Sequence, residues 1–311
     1  LIIISFFLFF SFLKYNIAEN NQILLNEVLP GILIYYGENE EPNEINKGAI
    51  ANKIAIIGNK SILVYDAGPS KEFAERFIKE LRKYSKKPIK YLVISHRHFD
   101  HAYGIEVYIK KKVTIFIDKT EYSYLKKEGP LINNLLIKNL GFNEDNINFD
   151  NISEEKINFL ADSIEVNLGN RRVLIKNLGI AHTKGDLIAY DFNTNTYITG
   201  DVIFIGRAAA FSDANIPMWI NVINNKLDLS WDYLIPGHGS IINNKLELND
   251  TKNWLYFLDN AAKQAVSEGD MISEIFQYPI PKEIHHLKMK SITLRQGIKK
   301  QLNLYRKKYI E

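Results

Sequence analysis

Four side chains able to ligate a metal fall within six consecutive positions, His96-Arg97-His98-Phe99-Asp100-His101. Imidazole nitrogens and carboxylate oxygens are donors that zinc and similar borderline cations accept. The chain has 7 histidines and places three of them here, directly after the apolar run Tyr91-Leu92-Val93-Ile94-Ser95. A strand running into a loop can aim alternate side chains at one point. His96 and His98 would then face one metal, with Asp100 and His101 turned towards a second centre beside it.

Further donors recur downstream. His182 stands in Ala181-His182-Thr183-Lys184-Gly185-Asp186, Asp201 in Thr199-Gly200-Asp201, and His238 in Pro236-Gly237-His238-Gly239. Asp66 closes an apolar run ahead of Ala67-Gly68-Pro69. Each lies at a strand end or a glycine-containing turn, where side chains are exposed and the backbone can bend. There is no cysteine, so disulfides and thiolate ligands are excluded and a metal must sit on nitrogen and oxygen.

The elements that must position these donors follow from periodicity. Runs of β character cover Gly31 to Tyr36, Ile50 to Ile57 and Ser61 to Tyr65, the last two joined through Gly58-Asn59-Lys60. Phe73, Phe77, Ile78 and Leu81 recur at helical spacing between Lys71 and Tyr84. A strand over Ile89 to Ile94 then delivers the histidine loop. Strand, helix and strand followed by a loop is an α/β pattern, and such sheets place sites at the carboxyl ends of strands. Val113 to Ile117 reads as a strand and Lys119 to Leu140 as largely helical. From Ile157 to about Ile203 short strands follow one another (Ile157 to Leu160, Ile164 to Leu168, Arg172 to Asn177, Leu187 to Asp191, Thr196 to Ile198), which predicts a second, mostly antiparallel sheet. Trp231 to Ile235 is a last strand. Beyond it, Trp254, Phe257, Leu258, Ala261 and Ala262 form a helix face, and Ile292 to Tyr309 a basic helix.

With 311 residues, 46% hydrophobic and 24% charged, the chain has core material for one large globular domain or one and a half. A net charge of +3 without a run of five or six like charges gives no ground for a polyanionic partner. The apolar start, Leu1 to Leu13, fits the hydrophobic region of a signal peptide and is short for a membrane span. The expected organisation is a leader over residues 1–19, a main domain over 20–245 and a helical extension of that domain over 246–311. The expected location is outside the cytoplasm, in a periplasm, and cytoplasmic if the apolar run is not a leader. A small-molecule substrate is expected, with no nucleic acid and no stable membrane span.

The order and spacing of these motifs resemble those of the metallo-β-lactamase fold superfamily of metallohydrolases, whose mark is His-x-His-x-Asp-His after a strand, then a lone His, a Gly-Asp and a Gly-His. The resemblance covers about Asn26 to Ile242. It implies an α/β fold, a four-layer αββα sandwich, here with a carboxyl-terminal helical extension. It implies His96, His98 and His182 on one metal, Asp100, His101 and His238 on the other, and Asp201 bridging. Asp66 would orient ligands rather than bind metal. Two zinc ions, or iron or manganese in their place, would lie about 3.5–4 Å apart and share a hydroxide as nucleophile. Asp100 would accept a proton as the intermediate collapses.

A narrower likeness, carried by Asn46 to Asn52, Gly200 to Arg207, Asp213 to Ile220 and a tryptophan-bearing carboxyl-terminal helix, is to the exported quinoprotein relay system zinc metallohydrolases. The implied activity is hydrolysis of a thioester, ester or lactam-like small molecule. The alternatives are a nuclease or phosphodiesterase of the same fold and a mononuclear iron protein of the persulfide dioxygenase kind. Lys184, Arg207 and Trp219 are the candidates for substrate contact. His285-His286 and the basic residues of the last helix read as solvated.

Overall fold

Strand alternation sorts the apolar side chains into three layers of core. The computed structural model describes residues 23–227 and 230–310, with side chains as far as residue 307. The apolar run Leu1 to Leu13, read above as part of a leader, lies outside the described residues.

The first sheet has seven strands in sequence order: β1 (Asn26–Leu29), β2 (Ile32–Tyr35), β3 (Lys53–Ile57), β4 (Ile62–Tyr65), β5 (Ile89–Val93), β6 (Thr114–Ile117) and β7 (Ile157–Phe159). Pairing is antiparallel from β1 to β4 and parallel from β4 to β7. The second has five, β8 (Ser163–Asn167), β9 (Arg172–Asn177), β10 (Leu187–Asp191), β11 (Thr196–Ile198) and β12 (Tyr233–Ile235). It is antiparallel except for the pair β11 and β12.

Ile32, Ile34, Ile54, Ile56, Leu63 and Val93 face the second sheet and meet Val173, Ile175, Leu187 and Ile198. Their neighbours Leu33, Ala55, Val64 and Leu92 face the other way. There they pack on helix α1 (Lys71–Tyr84), two short helices α2 (Phe99–Ala102) and α3 (Ile105–Lys110), and α4 (Lys119–Leu140). Helix α1 forms where the spacing of Phe73, Phe77 and Leu81 predicts it, capped by the Ser70 side chain, which accepts from the Phe73 amide at 3.0 Å.

The outer face of the second sheet is covered by α5 (Ile216–Asn225), α6 (Asn249–Glu268), the short α7 (Ile272–Ile275) and α8 (Lys290–Ile310). One continuous cluster runs from Ile188 and Leu234 through Trp219 and Trp254 to Leu302. The carboxyl-terminal helices thus complete this layer and are not an appendage with a core of their own. The result is the expected αββα sandwich. Among the described residues no helix is long and apolar enough to cross a membrane.

Three local differences from the sequence reading have physical causes. Ile157 to Phe159 joins the first sheet, parallel to β6, because a long connection through α4 brings it to that edge. Asn26 to Leu29 forms an edge strand that its polar start, Asn26-Glu27, concealed. Phe99 to Ala102 forms a short helix inside the histidine motif, where the sequence reading has only a loop.

Candidate metal centre

The donors meet at one edge of the sandwich, where the parallel strands β4 and β5 and the parallel strands β11 and β12 all end. Asp66 follows β4, His96 to His101 follow β5, Asp201 follows β11 and His238 follows β12. His182 comes from the turn between β9 and β10. The amide of Leu187, at the start of β10, donates to Ser95 O at 2.9 Å and ties the two sheets together beside the site.

Seven side chains form two donor sets, each with atoms within 4.8 Å of one another: His96, His98, His182 and Asp201, and Asp100, His101 and His238. In the first set, His98 Nδ1 lies 3.0 Å from His96 Nε2 and 3.1 Å from His182 Nε2. Asp201 stands between the sets and offers one oxygen to each. Its Oδ2 is 3.8 Å from His96 Nε2 and 3.4 Å from His182 Nε2. Its Oδ1 is 3.1 Å from His101 Nε2 and 3.4 Å from His238 Nε2. Asp100 Oδ2 sits 3.5 Å from both His101 Nε2 and His238 Nε2.

Each imidazole has an orienting partner on its far side, and that partner fixes which nitrogen faces the cluster. His96 Nδ1 meets Ser95 Oγ at 2.9 Å, His182 Nδ1 meets Ala210 O at 3.0 Å, and His238 Nδ1 meets Ile50 O at 2.8 Å. His101 Nδ1 meets Asp66 Oδ2 at 2.7 Å. Asp66 itself has a left-handed backbone (φ 65°), from which its Oδ1 accepts the Ser95 amide at 2.8 Å. It therefore holds the far side of the His101 ring and stands outside both donor sets.

Burial keeps three of the imidazoles neutral, the state that metal binding needs. It pushes His182 down to about 3, drives His96 well below the ordinary imidazole value and also lowers His238, so their inward nitrogens carry lone pairs. His101 goes the other way: the carboxylates of Asp201, Asp100 and Asp66 outweigh its burial and raise it to about 10. Among the described residues, buried His101 Nε2 and Asp201 Oδ1 have no hydrogen-bond partner of adequate geometry. Orphaned buried polar atoms of this kind are costly, and cations beside them would remove the cost. The residues fit a pair of divalent ions.

Two glycines make the approach possible. A Cβ on Gly237 would stand 2.0 Å from Asp201 Oδ1, and one on Gly200, whose φ is 51°, would stand 2.8 Å from Ser95 Cβ.

The three substrate-contact candidates fare differently. Arg207 is 4% exposed, and its Nε and Nη1 have no partner among the described residues. Asp201 and Asp100 lie within its electrostatic reach, yet desolvation dominates and lowers its pKa. Lys184 is exposed, and its amide donates to Glu121 Oε1 at 2.9 Å. Trp219 is fully buried; its indole donates to Val202 O at 2.9 Å and its ring lies 5.2 Å from that of His182. It braces His182 from behind and has no surface to offer a substrate. His285 and His286 stay outside the cluster, bonded to Ile280 O and Asp250.

Several residues at the site escaped the sequence reading. Glu121, fully buried in the first turn of α4, accepts from the Arg97 amide at 3.1 Å and from its guanidinium. Asp213 Oδ2 lies 3.0 Å from His98 Nε2. Lys53 is buried within β3, donating to Ala51 O and Asn52 O. Asp213 opens a segment that the sequence reading singled out without giving this residue a role; Lys53, a charge inside an apolar run, carried a visible signal, and Glu121 none.

Comparison with known proteins agrees with the fold. The solved metallo-β-lactamase from Pontibacter korlensis superposes over 76% of this chain and 99% of its own, with a TM-score of 0.58 at 15% identity. The DIM-1 metallo-β-lactamase does so over 76% and 97%, with a TM-score of 0.57 at 16% identity. At such identity the likeness is one of fold. Among curated proteins, a linear primary-alkylsulfatase of Pseudomonas sp. (strain ATCC 19151) is 27% identical over 89 residues, which is 27% of this chain and 17% of that enzyme. A family model described as the metallo-beta-lactamase superfamily matches residues 49–256, a span that holds every donor named above. Fold, donor order and family model converge, and the chain belongs to the metallo-β-lactamase superfamily.

Proposed function

We propose that this protein is a zinc-dependent hydrolase with two metal ions per chain, acting on an ester, thioester or lactam-like bond of a small molecule. The observation that supports it is Asp201, whose two oxygens face two separate sets of imidazole nitrogens. In this reading His96, His98 and His182 hold one ion, Asp100, His101 and His238 the other, and Asp201 spans them. A donor set of nitrogen and oxygen alone suits zinc, with iron or manganese as substitutes. Bound divalent cations would supply Lewis acidity, acidifying water and polarising the substrate oxygen.

The chain's own residues supply the rest. Asp100 faces His101 and His238 and, despite its burial, is kept below the usual carboxylate range by them. As an anion in the second donor set it can accept a proton from water and then pass that proton to a leaving group. Arg207 is the group that would hold an anionic part of the substrate. A guanidinium with two free N–H groups, desolvated beside the carboxylates, matches a carboxylate, phosphate or sulfate oxygen pair.

The local match to an alkylsulfatase favours sulfate esters as a second substrate class of the same chemistry. Metal analysis of purified protein, paired with a hydrolysis panel of thioesters, lactones, β-lactams, phosphodiesters and alkyl sulfates, tests the reading. Two equivalents of zinc with turnover on one class support it. A single iron with oxygen consumption would overturn it. The apolar start is consistent with export, which fractionation of a tagged full-length chain would test.

A further inference from the structure

His98 differs from its partners in the first donor set. The side chains of His96 and His182 are 0% and 1% exposed and are oriented by groups of the two sheets and adjacent loops, whereas His98 is 24% exposed. With Nδ1 turned to the cluster, its Nε2 must carry the proton, and it donates to Asp213 Oδ2 at 3.0 Å. The ring is therefore only as well placed as Asp213.

Asp213 lies in a loop with no regular structure of its own, and two cations compete for it. Arg97 Nη2 stands 2.8 Å from the same Oδ2 that His98 uses. Lys300, on α8, is bonded to the other oxygen, Oδ1. The same helix also holds the loop backbone. Gln301 Nε2 donates to Phe211 O at 3.0 Å and to Ala214 O at 2.8 Å, both buried. Gly297 lets α8 approach, since a Cβ there would lie 2.6 Å from the Phe211 ring.

We propose that Lys300 is a positioning residue for the metal centre, acting through Asp213 on His98. Its hold on Oδ1 stops the carboxylate from swinging to a two-oxygen grip on Arg97, which would withdraw Oδ2 from His98. The last helix is then part of the working site, although it contributes no ligand. This rests on the metal-binding reading given above.

The test is zinc release from the holo protein into a competing chelator, for the unaltered chain, Lys300→Met and Lys300→Arg. One of the two equivalents should be lost from Lys300→Met with about tenfold weaker affinity, in the range known for partners that orient ligands. The other equivalent should be unchanged, and Lys300→Arg should restore the first. Equal release curves for the unaltered chain and Lys300→Met would overturn the proposal, as would parallel loss of both ions. NMR of the metal-free chain separates this from failure of the metal reading. If the His98 ring nitrogens do not shift in Lys300→Met, the coupling is absent whatever the metal does. If they shift but no chain holds zinc, the coupling stands and the metal reading falls.

Discussion

Asp66 grips His101 from behind: its Oδ2 lies 2.7 Å from His101 Nδ1, and this leaves His101 Nε2 facing Asp201 Oδ1 at 3.1 Å. One carboxylate sets the ring and the other waits across the cluster. Replacing Asp66 by Asn keeps the shape and removes the charge that stabilises the donating imidazole. Asp66→Asn should weaken one of two zinc equivalents by about 10–100-fold with unchanged circular dichroism. Metal content after dialysis against a weak chelator is the measurement, and full retention of both ions would refute the role.

Gly237 carries a steric prediction. Its Cβ position is 2.0 Å from Asp201 Oδ1, too close for any heavy atom. Gly237→Ala must push Asp201 or the β12 loop aside. The expected cost is about 1–3 kcal/mol of stability, as for other overpacked sites, together with loss of metal binding. Urea unfolding and metal analysis of the same preparation would check both halves.

Arg207 separates binding from chemistry. If its free N–H groups hold the substrate's anion, Arg207→Met should raise KM for an anionic substrate by about 10–100-fold, the loss expected of a charge-assisted pair. KM for the matching neutral ester should barely move, and zinc content should stay the same. An equal effect on both substrates would remove Arg207 from recognition.

Glu106 supplies a pH-dependent prediction remote from the ligands. It is 3% exposed on α3, and it accepts from the Asn148 amide at 3.0 Å and from Asn151 Nδ2 at 2.7 Å, with Lys110 alongside. Burial works to raise its carboxyl, but Lys110 and these donors prevail and hold it below the ordinary value. A depressed folded pKa stabilises the fold above the unfolded value, near 4.3, and that contribution is lost as pH falls through the folded pKa. Glu106→Gln should cost about 1–2 kcal/mol at pH 7, and the gap to the unaltered chain should close towards pH 3. A gap independent of pH would show that charge is not the cause.

Much of this was legible in the chain itself. His96, His98, Asp100, His101, His182, Asp201 and His238 were all marked by type and by position at strand ends, and all seven converge. The layers were legible too, because alternation such as Ile32-Leu33-Ile34 directs successive side chains to opposite faces. Local pattern suffices for such features, since each residue's role depends on near neighbours.

What the sequence could not determine were relations between distant segments. That Asp201 and His238 lie side by side follows from the parallel register of β11 and β12, which pairs Ile198 with Ile235. That Trp219 lies behind His182, buried and away from solvent, follows from the packing of α5 against the second sheet. Asp213 reaches His98 across 115 positions, and Lys300 reaches Asp213 across 87. No periodicity encodes such pairs. They exist because burying the apolar faces of two sheets and their helices brings these loops to one edge, where unpaired charge must find a partner.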